Sequence, residues 1–257
     1  MEDIAGAPTL RSAGEIAEAR QALLSRHAHV MEPRAVSRCL GVQAADWRRF
    51  AVHWEDLAPD GYAAREGTHR MRRYGHFSLD RTGSLRPMPH LAFAQPEDTN
   101  PLYVGEDRHF EPLTDVFVAD PLFKSLVRMM GRIASCLQDA DTWSVKVHPF
   151  RVVASADGAG LPTPEGRHRD GVTLVTSLMI GRENAVGGQS TVYEPDGTPV
   201  LTTTLHEPGT LLLGDDRATL HEVAPIRPSD TTRPARRDVL VTTLTAHHSA
   251  ERDAQVG

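Results

Sequence analysis

Ser144-Val145-Lys146-Val147-His148-Pro149-Phe150-Arg151-Val152-Val153-Ala154 begins by alternating polar and apolar residues and is rich in β-branched positions, the pattern of a half-buried strand. It opens a change of texture that runs almost to the end of the chain. Short runs of the same kind follow at 172–180, 188–194, 199–206, 210–214, 221–226 and 238–246. Turn residues separate them: Asp157-Gly158, Gly187-Gly188, Pro195-Asp196-Gly197, Pro208-Gly209 and the stretch from Pro225 to Pro234. About seven short strands at this spacing predict an all-β sandwich or barrel. A jelly roll, or double-stranded β-helix of the cupin type, suits them because its two facing sheets leave a mouth for a site. An immunoglobulin-like sandwich is the structural competitor, and its Cys, Trp, Cys core is absent from this half.

Upstream the pattern is first helical and then irregular. Ser12-Ala-Gly-Glu15 has the spacing of a capping box and is followed by Ile16, Ala19, Leu23 and Leu24 at helical offsets, which predicts a helix over about 13–28. A second short helix is expected between Pro33 and Phe50. Asp120-Pro121 reads as an N-cap with proline at the first helical position, and Leu122, Leu126, Val127, Met130, Ile133 and Leu137 recur at three and four residues. Residues 51–118 scatter Trp54, Tyr62, Tyr74 and Phe77 among Gly, Pro and charges, and predict irregular strands and long loops. The expected organisation is one domain over 1–257, mainly β with flanking helices. It has a helical and irregular part at 1–142, a β core at 143–248 and a tail at 249–257.

The chain has 257 residues, 40% hydrophobic and 24% charged, which is an ordinary globular composition with length enough to bury a core. A net charge of −6 argues against a nucleic-acid or anionic-membrane surface, since both need clustered positive charge. Cys39 and Cys136 are too few for a disulfide framework, and Met1-Glu-Asp-Ile-Ala lacks the order of a secretory signal. No apolar run reaches the roughly 18–20 residues needed to span a bilayer. The expectation is a cytoplasmic monomer or homodimer with no nucleic-acid or membrane partner. Lysine occurs only at 124 and 146 among 28 basic residues, a bias that fits a GC-rich bacterial genome.

Within the strand-rich half, His168 and Asp170 are two apart, so an extended segment sends both side chains to one face. His221 opens a later run, just after the acidic turn Asp215-Asp216-Arg217, and is expected to face them from across the mouth of the roll. Two imidazoles and one carboxylate make the facial set that holds non-haem Fe(II) and leaves positions open for substrate and O2. Spacing alone leaves a structural reading open, because 13 His and 34 acidic residues produce such pairs by chance. Arg237 adds a planar, bidentate cation at the start of the last run, suited to the far carboxylate of a dicarboxylate co-substrate. Its competing reading is a surface arginine paired with Asp238. His168-Arg-Asp170 also resembles a kinase catalytic loop, but Val175 stands where Asn is required and no Asp-Phe-Gly follows.

Glu165-Gly166-Arg167-His168-Arg169-Asp170-Gly171, Arg182-Glu-Asn184, Gly187-Gly188-Gln-Ser190, His221-Glu-Val-Ala-Pro225 and Arg237-Asp238-Val-Leu-Val-Thr occur in this order. Together they resemble the 2-oxoglutarate-dependent Fe(II) dioxygenases of the bacterial free-amino-acid hydroxylase group, of which the L-isoleucine dioxygenases are members. Arg72-Arg73-Tyr74-Gly75, Phe93-Ala94-Gln95, Asn100 and Arg108-His-Phe110-Glu-Pro112 resemble the blocks that precede the β-helix in that group. One departure is Pro149, where relatives often carry Gln; a proline here predicts a bulge or a strand edge.

The resemblance implies His168, Asp170 and His221 as iron ligands and Arg237 as the anchor of 2-oxoglutarate. It implies hydroxylation of an unactivated C–H bond of a free amino acid or close derivative by O2, with release of succinate and CO2, as a step of bacterial biosynthesis. Halogenating enzymes of this mechanism need a small residue in the carboxylate position, so Asp170 favours hydroxylation. Tyr74, Gln95, Arg108 and Arg151 are the candidate contacts to the amino acid. Two alternatives stand beside this one: a metal-dependent β-roll isomerase or hydrolase, and a non-catalytic small-molecule-binding module.

Overall fold

The computed structural model describes residues 6–65, 67–93 and 107–248. In the first half the elements are α1 (Gly6–Arg26), β1 (Ala28–Met31), α2 (Pro33–Leu40), α3 (Ala44–Ala51), β2 (Ala58–Pro59), α4 (Gly61–Arg65), β3 (His69–Arg72), β4 (Gly75–Asp80), β5 (Leu85–Pro87), α5 (Asp115–Ala119) and α6 (Pro121–Ala134). The second half is all strand: β6 (Thr142–Ala154), β7 (Leu174–Glu183), β8 (Ala185–Gly187), β9 (Gln189–Tyr193), β10 (Pro199–Thr204), β11 (Leu211–Asp215), β12 (Leu220–Val223), β13 (Ile226–Pro228) and β14 (Ala235–His247). No helix among the described residues is long and apolar enough to cross a membrane.

The long strands β6 and β14 pair in unbroken antiparallel register from Thr142↔His247 to Ala154↔Ala235 and form the spine of the molecule. Around them the large sheet runs β1-β11-β7-β14-β6-β3-β2, with β4 also on β6 and β5 beyond it. A smaller sheet, β10-β9-β12, faces it and is extended by an isolated bridge between His168 and His221. The result is a jelly roll, mainly β, with its helices on one side.

Alternation along each strand divides the large sheet between two interiors. Val145, Val147, Leu174, Leu178, Leu240 and Leu244 turn outward and join Phe123, Leu126 and Met130 of α6 in the main core. Met179, Val239 and Leu212 turn inward and meet Val192 of the small sheet. The amphipathic periodicity of α6 therefore serves to cover the back of the roll. Asp120 caps that helix, its side chain accepting from Leu122 N at 2.8 Å.

The expected helices and all seven strand runs appear, with some differences of detail. Ser12 and Glu15 lie inside α1, which starts at Gly6, because Pro8 falls in the first turn where no amide donor is needed. Glu15 instead takes the guanidinium of Arg38, at 3.0 Å from Nε. The region expected to be irregular supplies β2 to β5, which widen the same large sheet. Pro149 makes no bulge in β6. Its carbonyl accepts from Arg73 N, so its nitrogen points the same way, to the junction where pairing with β4 (through Val147) gives way to pairing with β3 (from Phe150). The register shift of the neighbouring ladder lies on β7, where Ile180 is the extra residue opposite Asp238 and Val239 of β14.

Asp120 also meets His53 Nε2 at 3.0 Å. Replacing it with alanine removes the cap and this contact together, and Asp120→Ala should lower stability by about 1–2 kcal/mol. Thermal denaturation followed by circular dichroism should show a drop in Tm of roughly 3–6 °C.

Candidate metal centre

Backbone pairing brings the two candidate histidines together. His168 N donates to His221 O at 3.1 Å and His221 N donates to His168 O at 2.8 Å. The rings lie side by side with centroids 4.4 Å apart. They are therefore neighbours on one sheet, and the expected placement on opposite sides of the mouth is corrected. A cross-strand pair of this kind holds two side chains on the same face at close range.

Asp170 completes the cluster. Its Oδ1 is 3.9 Å from His168 Nε2 and its Oδ2 is 3.8 Å from His221 Nε2. One ligand atom from each of the three residues lies within 4.8 Å of the others. The separations to Asp170 are within an ångström of those between adjacent donors around one ion with bonds of ~2.1 Å. His168 Nδ1 donates to Gly166 O at 2.9 Å, which orients the ring so that Nε2 faces Asp170. Burial, and then the charge of His168, push His221 down to about 3, so its ring is the neutral form that a metal requires. Burial raises the Asp170 carboxyl, offset in part by His168 and Lys146.

Asp216 braces this arrangement from behind and is fully buried. Its carboxylate accepts from the backbone N of Asp170 at 3.0 and 3.1 Å and from Val172 N at 2.9 Å. Its Oδ1 is 3.6 Å from His221 Nδ1. One carboxylate thus supports two of the three candidate ligands. Its neighbour Asp215 turns away and binds Arg217 through both oxygens.

The cluster opens into a cavity of about 390 Å³ between the two sheets. Arg237 lines it and is 1% exposed. Among the described residues, neither its Nε nor its Nη2 has a hydrogen-bond partner, and burial, with Arg182 nearby, brings its pKa down to about 10. It stays charged at neutral pH. The reading of Arg237 as a surface residue paired with Asp238 is overturned, since Asp238 is bound by Arg151 at 2.8 Å through each oxygen. Gly188 passes so close that a Cβ there would stand 3.4 Å from Arg237 Cδ and 2.9 Å from Ile226, at a φ of +67° that favours glycine. Ser190 Oγ, in the same cavity, is likewise buried without a partner among the described residues.

The other candidates divide. Arg108 is buried and lines the cavity. Arg151 does not reach it: on β6 the even residues Lys146, His148, Phe150 and Val152 face the cavity, so alternation turns Arg151 outward to Asp238 and Glu55. Tyr74 is a packed aromatic stacked on His148 at 4.9 Å and 16°, outside the cavity lining, with its hydroxyl raised to about 12 by burial. Gln95 and Asn100 lie outside the described residues.

Sequence reasoning passed over Arg72, Lys146, His148 and Glu165, all of which line the cavity. Arg72 Nη2 donates to His148 Nδ1 at 2.5 Å, so that imidazole is neutral with its proton on Nε2. Alternation along 144–152 was the signal available for Lys146 and His148; Arg72 and Glu165 open two of the family-like blocks, which give neither of them a role.

A jelly roll with a His, Asp, His cluster between its sheets is the setting of non-haem iron oxygenases. Residues 51–243 match the model of the 2OG-Fe dioxygenase family, and the chain belongs to that family, which uses Fe(II) and 2-oxoglutarate. Among solved structures, a bsmA homologue from Methylobium petroleophilum PM1 is 34% identical, with a TM-score of 0.81, over 90% of this chain and 93% of that one. IDO from Bacillus thuringiensis (18% identity, TM-score 0.75, 91% and 100% covered) shares the fold. So does the Fe(II)/α-ketoglutarate-dependent dioxygenase TqaL (19%, 0.74, 95% and 90%). No curated protein matches the chain.

If Asp216 positions His221 and the Asp170 backbone, Asp216→Ala should weaken metal binding by roughly 10- to 100-fold without unfolding the protein. Mn(II) titration followed by electron paramagnetic resonance measures this directly, and an unchanged affinity counts against the role.

Proposed function

We propose that this protein hydroxylates an unactivated C–H bond of a free amino acid or close derivative, with His168, Asp170 and His221 holding Fe(II) and Arg237 holding 2-oxoglutarate. The observation that carries the reading is the pairing of two features in one cavity: the cluster of three donors and a buried guanidinium whose Nε and Nη2 have no partner. A buried charge without a partner is costly, and a carboxylate ligand is what offsets it. The donor set suits ferrous iron, with two neutral nitrogens and one oxygen.

When bound, iron would activate O2, the oxidant, with 2-oxoglutarate as the co-substrate that is oxidised to succinate and CO2. The chain supplies placement. Arg237 takes the far carboxylate of 2-oxoglutarate through its planar fork. Ser190 Oγ offers a further hydroxyl to the same ligand. Val239 and Val241 line the cavity with apolar surface that keeps water from the reacting bond. Asp170 occupies the carboxylate position, which supports hydroxylation over halogenation. For the amino acid itself, support comes from charged groups of both signs on the cavity wall, Arg72, Arg108 and Lys146 against Glu165.

Succinate release should require both Fe(II) and 2-oxoglutarate, rise with the right free amino acid, and accompany a product heavier by one oxygen. Asp170→Ala should reduce it to background; unchanged succinate in that variant counts decisively against the assignment. Arg237→Ala should raise the KM for 2-oxoglutarate about 10- to 100-fold, the equivalent of the 1.5–3 kcal/mol carried by hydrogen bonds to a charged group.

A further inference from the structure

Glu165 sits in the cavity wall three residues before His168, in a loop that its own hydrogen bonds hold still. Thr163 Oγ1 accepts from Val223 N at 3.0 Å and donates to Val223 O at 3.1 Å, and Gly166 N donates to Thr163 O at 3.0 Å. The Glu165 side chain is 11% exposed, and its Oε2 is buried without a hydrogen-bond partner. Its Oε1 lies 3.4 Å from His168 Nε2. His168 Nδ1 is turned the other way and donates to Gly166 O at 2.9 Å. Among the described residues, no hydrogen bond reaches either oxygen of Glu165. Arg167, the nearest basic residue along the chain, is laid over the Tyr193 ring at 3.8 Å.

A fourth metal ligand is a poor explanation. The set of donor atoms that close on one another within 4.8 Å comprises His168, Asp170 and His221, and Glu165 falls outside it. A carboxylate held rigidly beside a metal centre, shielded from bulk water and lacking donors, is complementary to a cationic N–H group on a ligand. The facing strands β3 and β6 contribute Arg72, Lys146 and, beside them, Arg108 to the same cavity. Charges of both signs therefore line one cavity, and a molecule with an ammonium at one end and a carboxylate at the other can meet both.

We infer that Glu165 is a specificity-determining residue that receives the substrate's ammonium group beside the iron, while the carboxylate end turns toward Arg72, Arg108 and Lys146. The inference rests on the oxygenase reading above and narrows it to zwitterionic substrates. Removing the negative charge should penalise a ligand with an ammonium and spare the same ligand without one.

The test pairs each proteinogenic L-amino acid with the carboxylic acid of the same skeleton lacking the amino group, using wild-type protein and Glu165→Gln. With an amino acid that stimulates succinate release, the variant should raise its KM about tenfold or more. The KM of any turned-over deamino acid should change by less than about threefold, and Mn(II) affinity by no more than that. Equal losses for both members of a pair overturn the inference, as does a collapse of Mn(II) affinity, which would make Glu165 a metal-binding or loop-supporting residue. If no amino acid stimulates turnover, the amino-acid reading fails, and the inference about Glu165 is judged by binding. Thermal stabilisation of the Mn(II) and 2-oxoglutarate complex by amino acids over their deamino partners, lost in Glu165→Gln, supports it. Equal stabilisation by both partners sinks it.

Discussion

Two backbone hydrogen bonds between His168 and His221 are the constraint on which the site depends. They join the loop before β7 to β12 and so set two imidazoles on one face, where Gly166 O and Asp216 orient the rings. The third donor follows from the chain itself, since Asp170 is two residues beyond His168 and Asp216 holds its amide. The small sheet is therefore more than a lid over the large one. Its edge pairing is what makes three distant side chains neighbours, and a slip of one residue would turn either histidine out of the cavity.

Buried charge is handled in two ways in this molecule, and the contrast separates structure from function. Arg151 and Asp238 satisfy one another through paired hydrogen bonds, with the exposed Glu55 taking a further guanidinium N–H, and so do Arg70 and Asp60, where Nε and Oδ2 meet at 2.8 Å. These groups lock β6 to β14 and β3 to the turn before α4. Arg237 and Glu165 are buried with polar atoms that lack a partner, and both face the cavity. Folding tolerates such groups where a ligand completes them. The pairing with β6 keeps Arg237 fixed, because β14 runs in unbroken register with it along the whole strand.

Much of this was legible along the chain. Strand periodicity after Trp143 and the turn residues between runs gave the roll, since alternation and Gly or Pro breaks are local effects. The helix at Pro121 was legible for the same reason, having its cap and apolar stripe within one segment. Residues 69–87 were legible only as irregular strands, without bounds, because each strand is short and gains its pairing from afar, β3 and β4 at the side of β6 and β5 on β4. Of the residues first considered for the substrate, Arg108 reaches the cavity, whereas Arg151 is turned outward by strand alternation and Tyr74 is absorbed in packing.

The amino-acid order by itself determined which residues are chemically able to form the site: His168 beside Asp170, a later His221, and an arginine at 237. It did so because those donors and their strands are short-range facts. Only the tertiary structure decided that the histidines are paired neighbours, that Asp216 supports them and Asp215 does not, and that Arg237 is buried and turned from Asp238. Those outcomes depend on register and on which strand face meets the cavity, and both are set by contacts between segments far apart in the chain.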